Sequence, residues 1–345
     1  MGKIRLLDCT LRDGGYLNDW NFGEAAIADI INHLEQTNIE ILELGFIRNE
    51  PHNKDRAVFD SPSTAMKVLG KKKDGVLYSV MGELSSEIPL EQIPHADESG
   101  IHIIRMIIWK DKTLPDGCVV DAIEEGFRYC KGLIEKGYQV CVQPVRVNQY
   151  SDSEFVAMVK HFSELSPMAI YVVDSWGTDN PEDLLHYMHL ADQNMPANIS
   201  LGYHGHNNMM HAMAVAQAIL REGFERDLII DASVYGIGRG AGNLNLELIS
   251  KYMNERYGKH YELLPMVDIY DKYLRDIYKK EQWGYSVPFF LTAMHKANPR
   301  CTSYMVNEVH LDNETIRYVL DHLPEKSKII FSKKSIDDIL ATYRE

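Results

Sequence analysis

The chain has 345 residues, 45% of them hydrophobic and 25% charged, with a formal net charge of -14. That is enough apolar material for a large core, and the acidic balance argues against a non-specific nucleic-acid binder and against adhesion to an anionic membrane surface. Five cysteines (9, 118, 130, 141 and 301) form no C-x-x-C pair, no stretch approaches a membrane-spanning apolar run, and the opening MGKIRLLDCT lacks a signal-peptide core, which together predict reduced thiols and a cytoplasmic location.

In chain order, strand-like runs occur at 4–10, 39–47, 75–82, 101–109, 138–147, 169–177, 199–206 and 228–238. Several are almost continuously apolar, as parallel strands covered by helices should be. Between them lie amphipathic stretches that predict helices, among them 23–38, 119–137, 151–165 and 181–194. Ser151 with Glu154 reads as a capping box, Asn180-Pro181 as a helix start and Gly137 as a helix stop.

Eight strands, each followed by a helix, within about 250 residues is the spacing of a (β/α)8 TIM barrel. A doubly wound open sheet is the alternative, but the first strand is not followed by G-x-G-x-x-G. The rhythm changes after about Tyr257: residues 262–282 and 294–324 predict helices, separated by WGYSVPFF. The chain therefore divides, as an expectation, into a barrel over 1–258 and a docked helical C-terminal extension over 259–345.

In such a barrel the active face is built where the strands end at their C-termini. Strand 1 brings Asp8, Arg12, Asp13 and Tyr16 there, strand 2 Glu43 and strand 4 Arg105. Strand 5 brings Gln143 and Arg146, strand 6 Asp174 and Ser175, strand 7 His204 and His206, and strand 8 Ser233, Tyr235 and the loop GIGRGAGN. Burying so many polar groups unpaired would be costly, so their density predicts one shared polar site. His204 and His206, two apart on a strand, face the same side and can hold one metal if a carboxylate joins them; Asp13 is the candidate. Two histidines and one aspartate leave open positions, compatible with Mg²⁺, Mn²⁺, Fe²⁺, Co²⁺ or Zn²⁺.

Arg12 reads as a fixed cation for an enolate or carboxylate, and Gly14-Gly15 as a pair that lets its loop turn sharply. Glu43, an acid inside an apolar run, is either a buried partner of Arg12 or Arg105 or a general base; pairing with Arg12 is the preferred reading. GIGRGAGN opens a helix whose N-terminus can hold an anion.

Together, D-x-T-L-R-D-G at 8–14, Glu43 in LELGF, H-G-H-N at 204–207 and G-x-G-x-G-A-G-N at 236–243 resemble the DRE-TIM metallolyase (HMGL-like) superfamily, in order and position, over about residues 3–258. Within it the chain is most similar to the 4-hydroxy-2-oxovalerate aldolase branch. The resemblance implies a divalent metal, usually Mg²⁺ or Mn²⁺, on Asp13, His204 and His206, with Asn243 completing or supporting its shell. It implies that Arg12 stabilises a pyruvate enolate, that Glu43 completes the Asp-Arg-Glu set, and that Tyr285 matches a tyrosine over the substrate. Arg105, Gln143, Asp174 and Ser175 are the further candidates for substrate binding.

One position departs from the pattern: Tyr16 stands where the aldolases carry the histidine that serves as base. Strand 5 has no lysine in VCVQPVRV, which disfavours the carboxyltransferase branch. The expected activity is cleavage or formation of a C–C bond in a 4-hydroxy-2-oxo acid, its partners a small 2-oxo acid and an aldehyde. Alternatives are an acyl-CoA condensing enzyme of the isopropylmalate or homocitrate synthase type and a non-catalytic barrel that binds metal or oxo acid. Aldolases of this kind often work with an aldehyde dehydrogenase partner, and a homo-oligomer is also expected; no segment identifies either.

Overall fold

The computed structural model describes residues 2–70, 72–113 and 119–343, so Cys118 lies outside the described residues. Eight parallel strands close into a barrel: β1 (Ile4–Asp8), β2 (Ile41–Ile47), β3 (Leu77–Glu83), β4 (Ile103–Ile108), β5 (Gln139–Pro144), β6 (Ala169–Asp174), β7 (Ser200–Gly205) and β8 (Leu228–Ala232). β8 returns to β1 with Ile4 opposite Leu228 and Asp8 opposite Ala232. Each strand falls on a run predicted from the sequence, and each is followed by a helix, the first Glu24–Glu35 and the last Leu246–Tyr257. The strands are apolar on both faces because one face packs inside the barrel and the other under those helices.

Inward side chains recur every second residue and stack in layers. The lowest is apolar and includes Leu7, Ile41, Ile103, Cys141, Ala169 and Ile229. Two residues further along their strands come Glu43, Arg105 and Asp231, all buried. Above these are the imidazoles of His204 and His206, at the C-terminal mouth. The two-residue period of a strand thus converts a sequence offset into depth in the barrel.

The capping box at Ser151 forms as expected. Three local expectations are corrected. The helix expected over 119–137 begins only at Ile123; Val119–Asp121 instead pairs antiparallel with Asp111–Thr113, and the Asp121 carboxylate accepts from the Ile123 N–H at 2.7 Å. Gly14 and Gly15 have ordinary helical φ values of -60° and -61°. They are glycines because a Cβ would meet Ile237 at 2.8 Å and the Trp20 ring at 2.0 Å. The helix expected over 294–324 is broken into shorter ones, since Asn298 caps Pro299–Ser303 and Asp312 caps Asn313–His322. A further helix, Val287–Met294, starts inside WGYSVPFF, with Ser286 as its cap.

The C-terminal helices have two loyalties. Met266, Ile269, Leu274 and Trp283 join the main hydrophobic core, whereas Ala297, Cys301, Met305, Ile316, Val319, Leu320 and Ile336 build a separate cluster. Among the described residues no helix is long and apolar enough to cross a membrane.

Candidate active site

Asp13 sits in the short helix Thr10–Gly14 that caps β1; His204 is on β7 and His206 immediately beyond its end. Asp13 Oδ2 lies 3.4 Å from His206 Nε2 and 3.8 Å from His204 Nε2. All three residues are buried, and their ligand atoms lie within 4.8 Å of one another, the one such cluster among the described residues.

The second nitrogen of each ring explains the geometry. His206 Nδ1 is 3.0 Å from the Asp174 carbonyl oxygen, which can only accept, so Nδ1 carries the proton and Nε2 presents a lone pair. His204 Nδ1 is 3.0 Å from Asp231 Oδ2, which likewise turns Nε2 toward Asp13. Burial, only partly opposed by the hydrogen bond to Asp231, lowers the His204 pKa and favours the neutral ring. Burial alone would raise the Asp13 pKa, but Arg12, then His206 and His204, hold it well below the usual carboxylate range. Asp13 Oδ2, His206 Nε2 and Asn243 Oδ1 are all buried without a hydrogen-bond partner. Asp13 Oδ2 and His206 Nε2, 3.4 Å apart with no donor between them, suit a cation. Gly238 keeps the corner open, since a Cβ there would meet Asn243 Nδ2 at 2.4 Å and Asp13 Oδ2 at 3.1 Å.

A chain of alternating charges supports this cluster from below. Arg12 Nη1 donates to Asp13 Oδ1 at 2.8 Å, and Arg12 Nε donates to Glu43 Oε2 at 2.7 Å. Arg105 Nη1 lies 2.8 Å from the same Glu43 oxygen, and Arg105 Nη2 donates to Asp231 Oδ2. Glu43 therefore pairs with both arginines named for it. Its carboxylate has no exposure at the mouth and lies among the barrel-filling residues.

The mouth opens into a cavity with about 680 Å³ of empty space, including its open side. Arg12, Asp13, Tyr16, Gln143, Ser175, His204 and His206 line it, as the sequence predicted for the polar strand ends. Three of the candidates for substrate binding are not brought to it. Arg105 is fully buried one layer beneath, over the Tyr171 ring at 4.9 Å. The Asp174 carboxylate turns into its own loop and accepts from the N–H groups of Thr178 and Asp179; burial, then the charge of Asp179, pushes its pKa up to about 8. Tyr285 is 54% exposed and does not line the cavity, because Trp283 takes the buried position and donates to the Tyr235 carbonyl at 2.9 Å.

Asn243 is adjacent to the cluster but outside the cavity lining; its Nδ2 donates to the Ile237 carbonyl at 3.0 Å. The glycines of GIGRGAGN serve the turn rather than an anion at the helix N-terminus. Gly236, Gly240 and Gly242 have φ of 63°, 68° and 79°, and the first turn of the helix carries Glu247, whose carboxylate already accepts from the Tyr235 N–H. Burial raises the Tyr16 pKa, so its hydroxyl keeps its proton at neutral pH.

Five polar or aromatic lining residues escaped the sequence reading: Glu83 at the end of β3, Trp109 after β4, Trp176 after β6, Arg239 in the glycine loop and Asn298 in the C-terminal extension. Asp231 was also passed over. Its signal was present: an acid inside the apolar run LIIDA, the same pattern that singled out Glu43.

A family model described as HMGL-like matches residues 3–271. An oxaloacetate decarboxylase from Mycobacterium tuberculosis is 25% identical over 285 residues, covering 82% of this chain and 79% of that one. A 4-hydroxy-2-oxovalerate aldolase from Desulfitobacterium hafniense is 24% identical over 285 residues, covering 80% and 79%. Among solved structures, the N-terminal domain of a Bacteroides vulgatus protein provisionally described as an aldolase superposes with a TM-score of 0.70 at 22% identity, over 88% of this chain and 98% of that one.

Proposed function

The chain belongs to the HMGL-like family of the DRE-TIM superfamily, and on that premise we propose that it is a divalent-metal-dependent carbon–carbon lyase that cleaves or forms the C3–C4 bond of a 4-hydroxy-2-oxo acid through a pyruvate enolate. The observation that carries this reading is the convergence of the Asp13, His204 and His206 ligand atoms within 4.8 Å of one another, with Asp13 Oδ2 and His206 Nε2 buried without a hydrogen-bond partner, beside the Arg12 guanidinium. Asp13, His204, His206 and Asn243 would hold the metal, Mg²⁺ or Mn²⁺. When bound, it would supply Lewis acidity to a 2-oxo acid's keto and carboxylate oxygens.

The chain's own residues account for the rest. In cleavage, the C3–C4 electron pair moves into an enolate while the 4-hydroxyl loses its proton and becomes an aldehyde carbonyl. Arg12, fixed by Glu43 and Asp13, is a preorganised cation for the oxygen on which negative charge grows. Gln143, whose Nε2 has no partner in the protein, donates to the carboxylate of the oxo acid. Tyr16, protonated because it is buried, is a donor to the C4 oxygen rather than a base. Glu83 is the lining carboxylate not committed to the metal, and we assign it the role of accepting the 4-hydroxyl proton.

The test is exchange of the methyl protons of pyruvate for deuterium in the presence of Mn²⁺. Exchange supports the enolate; its absence with metal demonstrably bound overturns it. A second reading rests on the likeness to an oxaloacetate decarboxylase, since loss of CO₂ from that acid gives the same enolate. Incorporation of an aldehyde into pyruvate under exchange conditions favours the aldolase; release of CO₂ from oxaloacetate without it favours the decarboxylase.

A further inference from the structure

Two further arginines at the cavity have no assigned task. Arg146 follows β5 and Arg239 lies in the glycine loop after β8; both line the cavity. Among the described residues neither has a carboxylate within salt-bridge distance, and the Nε atom of each is buried without a partner. Glu83, which shares the cavity wall, lies 3.4 Å from Arg48 instead. Partly desolvated guanidinium groups without an anion are costly to hold, so their retention in one cavity calls for an explanation.

Both are firmly held. The Arg146 guanidinium lies over the rings of Trp109 at 5.0 Å and Trp176 at 5.6 Å. The backbone of Arg146 is left-handed, with φ of 56°, a conformation that a non-glycine residue adopts at some cost. Its N–H donates to Ser175 Oγ at 2.8 Å. Arg239 stacks over the Tyr16 ring at 5.3 Å and donates from Nη2 to the Ser175 carbonyl at 3.3 Å. Ser175 thus brackets both arginines, and Tyr16 links them to the metal side. Burial lowers the Arg146 pKa; Tyr150 and Asp111 oppose it, and the charge of Arg239 adds a smaller contribution in the direction of burial.

We propose that Arg146 and Arg239 form an oxyanion subsite, so that the substrate is a 4-hydroxy-2-oxo acid whose aldehyde half carries a carboxylate or a phosphate. Guanidinium forks match such groups in bidentate geometry, and stacking on aromatic faces keeps them oriented when the site is empty of ligand. The proposal deepens the aldolase reading and rests on it for the 2-oxo acid head group.

The test compares ligands that share that head group and lack the 4-hydroxyl, so that no retro-aldol cleavage occurs. With Mg²⁺ present, calorimetry measures binding of 2-oxoglutarate against 2-oxovalerate, and of 2-oxoadipate against 2-oxohexanoate, so that two chain lengths sample the reach. The expected result is at least a tenfold preference for the dianion in one pair. In Arg146→Met and in Arg239→Gln, each checked for a native circular dichroism spectrum, that ratio falls below threefold. Arg146→Lys keeps the charge without the fork and is the fallback if Arg146→Met does not fold; its ratio falls between the two. A phosphonate in place of the distal carboxylate separates the two anions, tighter binding identifying phosphate and weaker binding carboxylate. Equal affinity within both pairs, or a ratio retained in both arginine variants, overturns the subsite. A dianion preference in a protein that does not exchange pyruvate protons would leave the subsite standing and remove the enolate chemistry.

Discussion

The two sides of the barrel mouth handle charge in opposite ways. Along the strands β2, β4, β7 and β8 and the turn after β1, acids and bases alternate without a gap: Asp13, Arg12, Glu43, Arg105, Asp231 and His204 are joined in one run of contacts. Toward the loops after β5, β6 and β8, Arg146 and Arg239 meet aromatic rings, a hydroxyl and a carbonyl, with no carboxylate partner among the described residues. On the paired side each ion already meets an opposite charge before any ligand arrives, with Asp13 Oδ2 left for a metal. Each ion offsets its neighbour's desolvation, so no member can be removed alone. The unpaired side is completed only by something that enters.

The largest expected break in that comparison is at its centre. Asp13→Ala removes the carboxylate on which both imidazoles converge. Mn²⁺ retained after dialysis should fall from one per chain to none, and pyruvate exchange should drop by at least about 10³-fold, several kcal/mol of lost charge stabilisation. Retention of the metal would show that the cluster is not its site. Next in size is the pair Arg105→Met and Arg239→Met, which deletes one guanidinium from each side. Arg105→Met leaves Glu43 and Asp231 buried beside fewer cations and should cost about 3–5 kcal/mol in urea unfolding. Arg239→Met breaks no ion pair and should stay within about 1 kcal/mol. Equal losses would erase the distinction between the two sides. Asp231→Asn is milder: it keeps the shape but weakens the hold on His204 Nδ1, so Mn²⁺ affinity should fall about 10–100-fold by calorimetry. An unchanged affinity would mean that Asp231 serves Arg105 alone.

The sequence was most informative where periodicity and burial act together. The eight strands were legible because double-sided burial makes them apolar, and Glu43 stood out because an acid in such a run must be paired. Alternation revealed which residues face inward but not how deep they sit. Arg105 was therefore expected at the substrate, although it lies a layer below Ile107, which does line the cavity. Tyr285 and Arg239 mark the other boundary. Their positions depend on how the extension docks through Trp283 and on how the glycine loop folds back, and both are tertiary facts with no local period. Val119-Val120 misled for a different reason: β-branched residues at the start of an amphipathic run paired into a hairpin instead of opening the helix.

The smallest predicted effect concerns Asp8, the one acid that the paired side leaves without a cation. It is buried at the end of β1 and accepts only from Thr10, from the N–H at 3.1 Å and the hydroxyl at 2.5 Å. Burial outweighs the two opposing Thr10 hydrogen bonds and, with smaller contributions from Glu43 and Asp231, raises its pKa from 3.8 to about 7. A carboxyl whose pKa is higher in the folded chain stabilises the fold fully below its unfolded value. That contribution shrinks as pH rises from about 4 and is gone above about 7, a loss of about 4 kcal/mol. Asp8→Asn cannot titrate and so lacks this slope. It also carries a constant cost, because its amide NH₂ must face one of the two Thr10 donors. The readout is therefore the difference in unfolding free energy between the variant and the parent, both metal-free, followed from pH 4 to pH 8. The difference should move in favour of the variant by about 4 kcal/mol across the interval and then level off. A flat difference would mean that Asp8 is ionised throughout, stabilised by the same alternating charges as its neighbours, and the paired side would then extend one residue further than its ion pairs indicate.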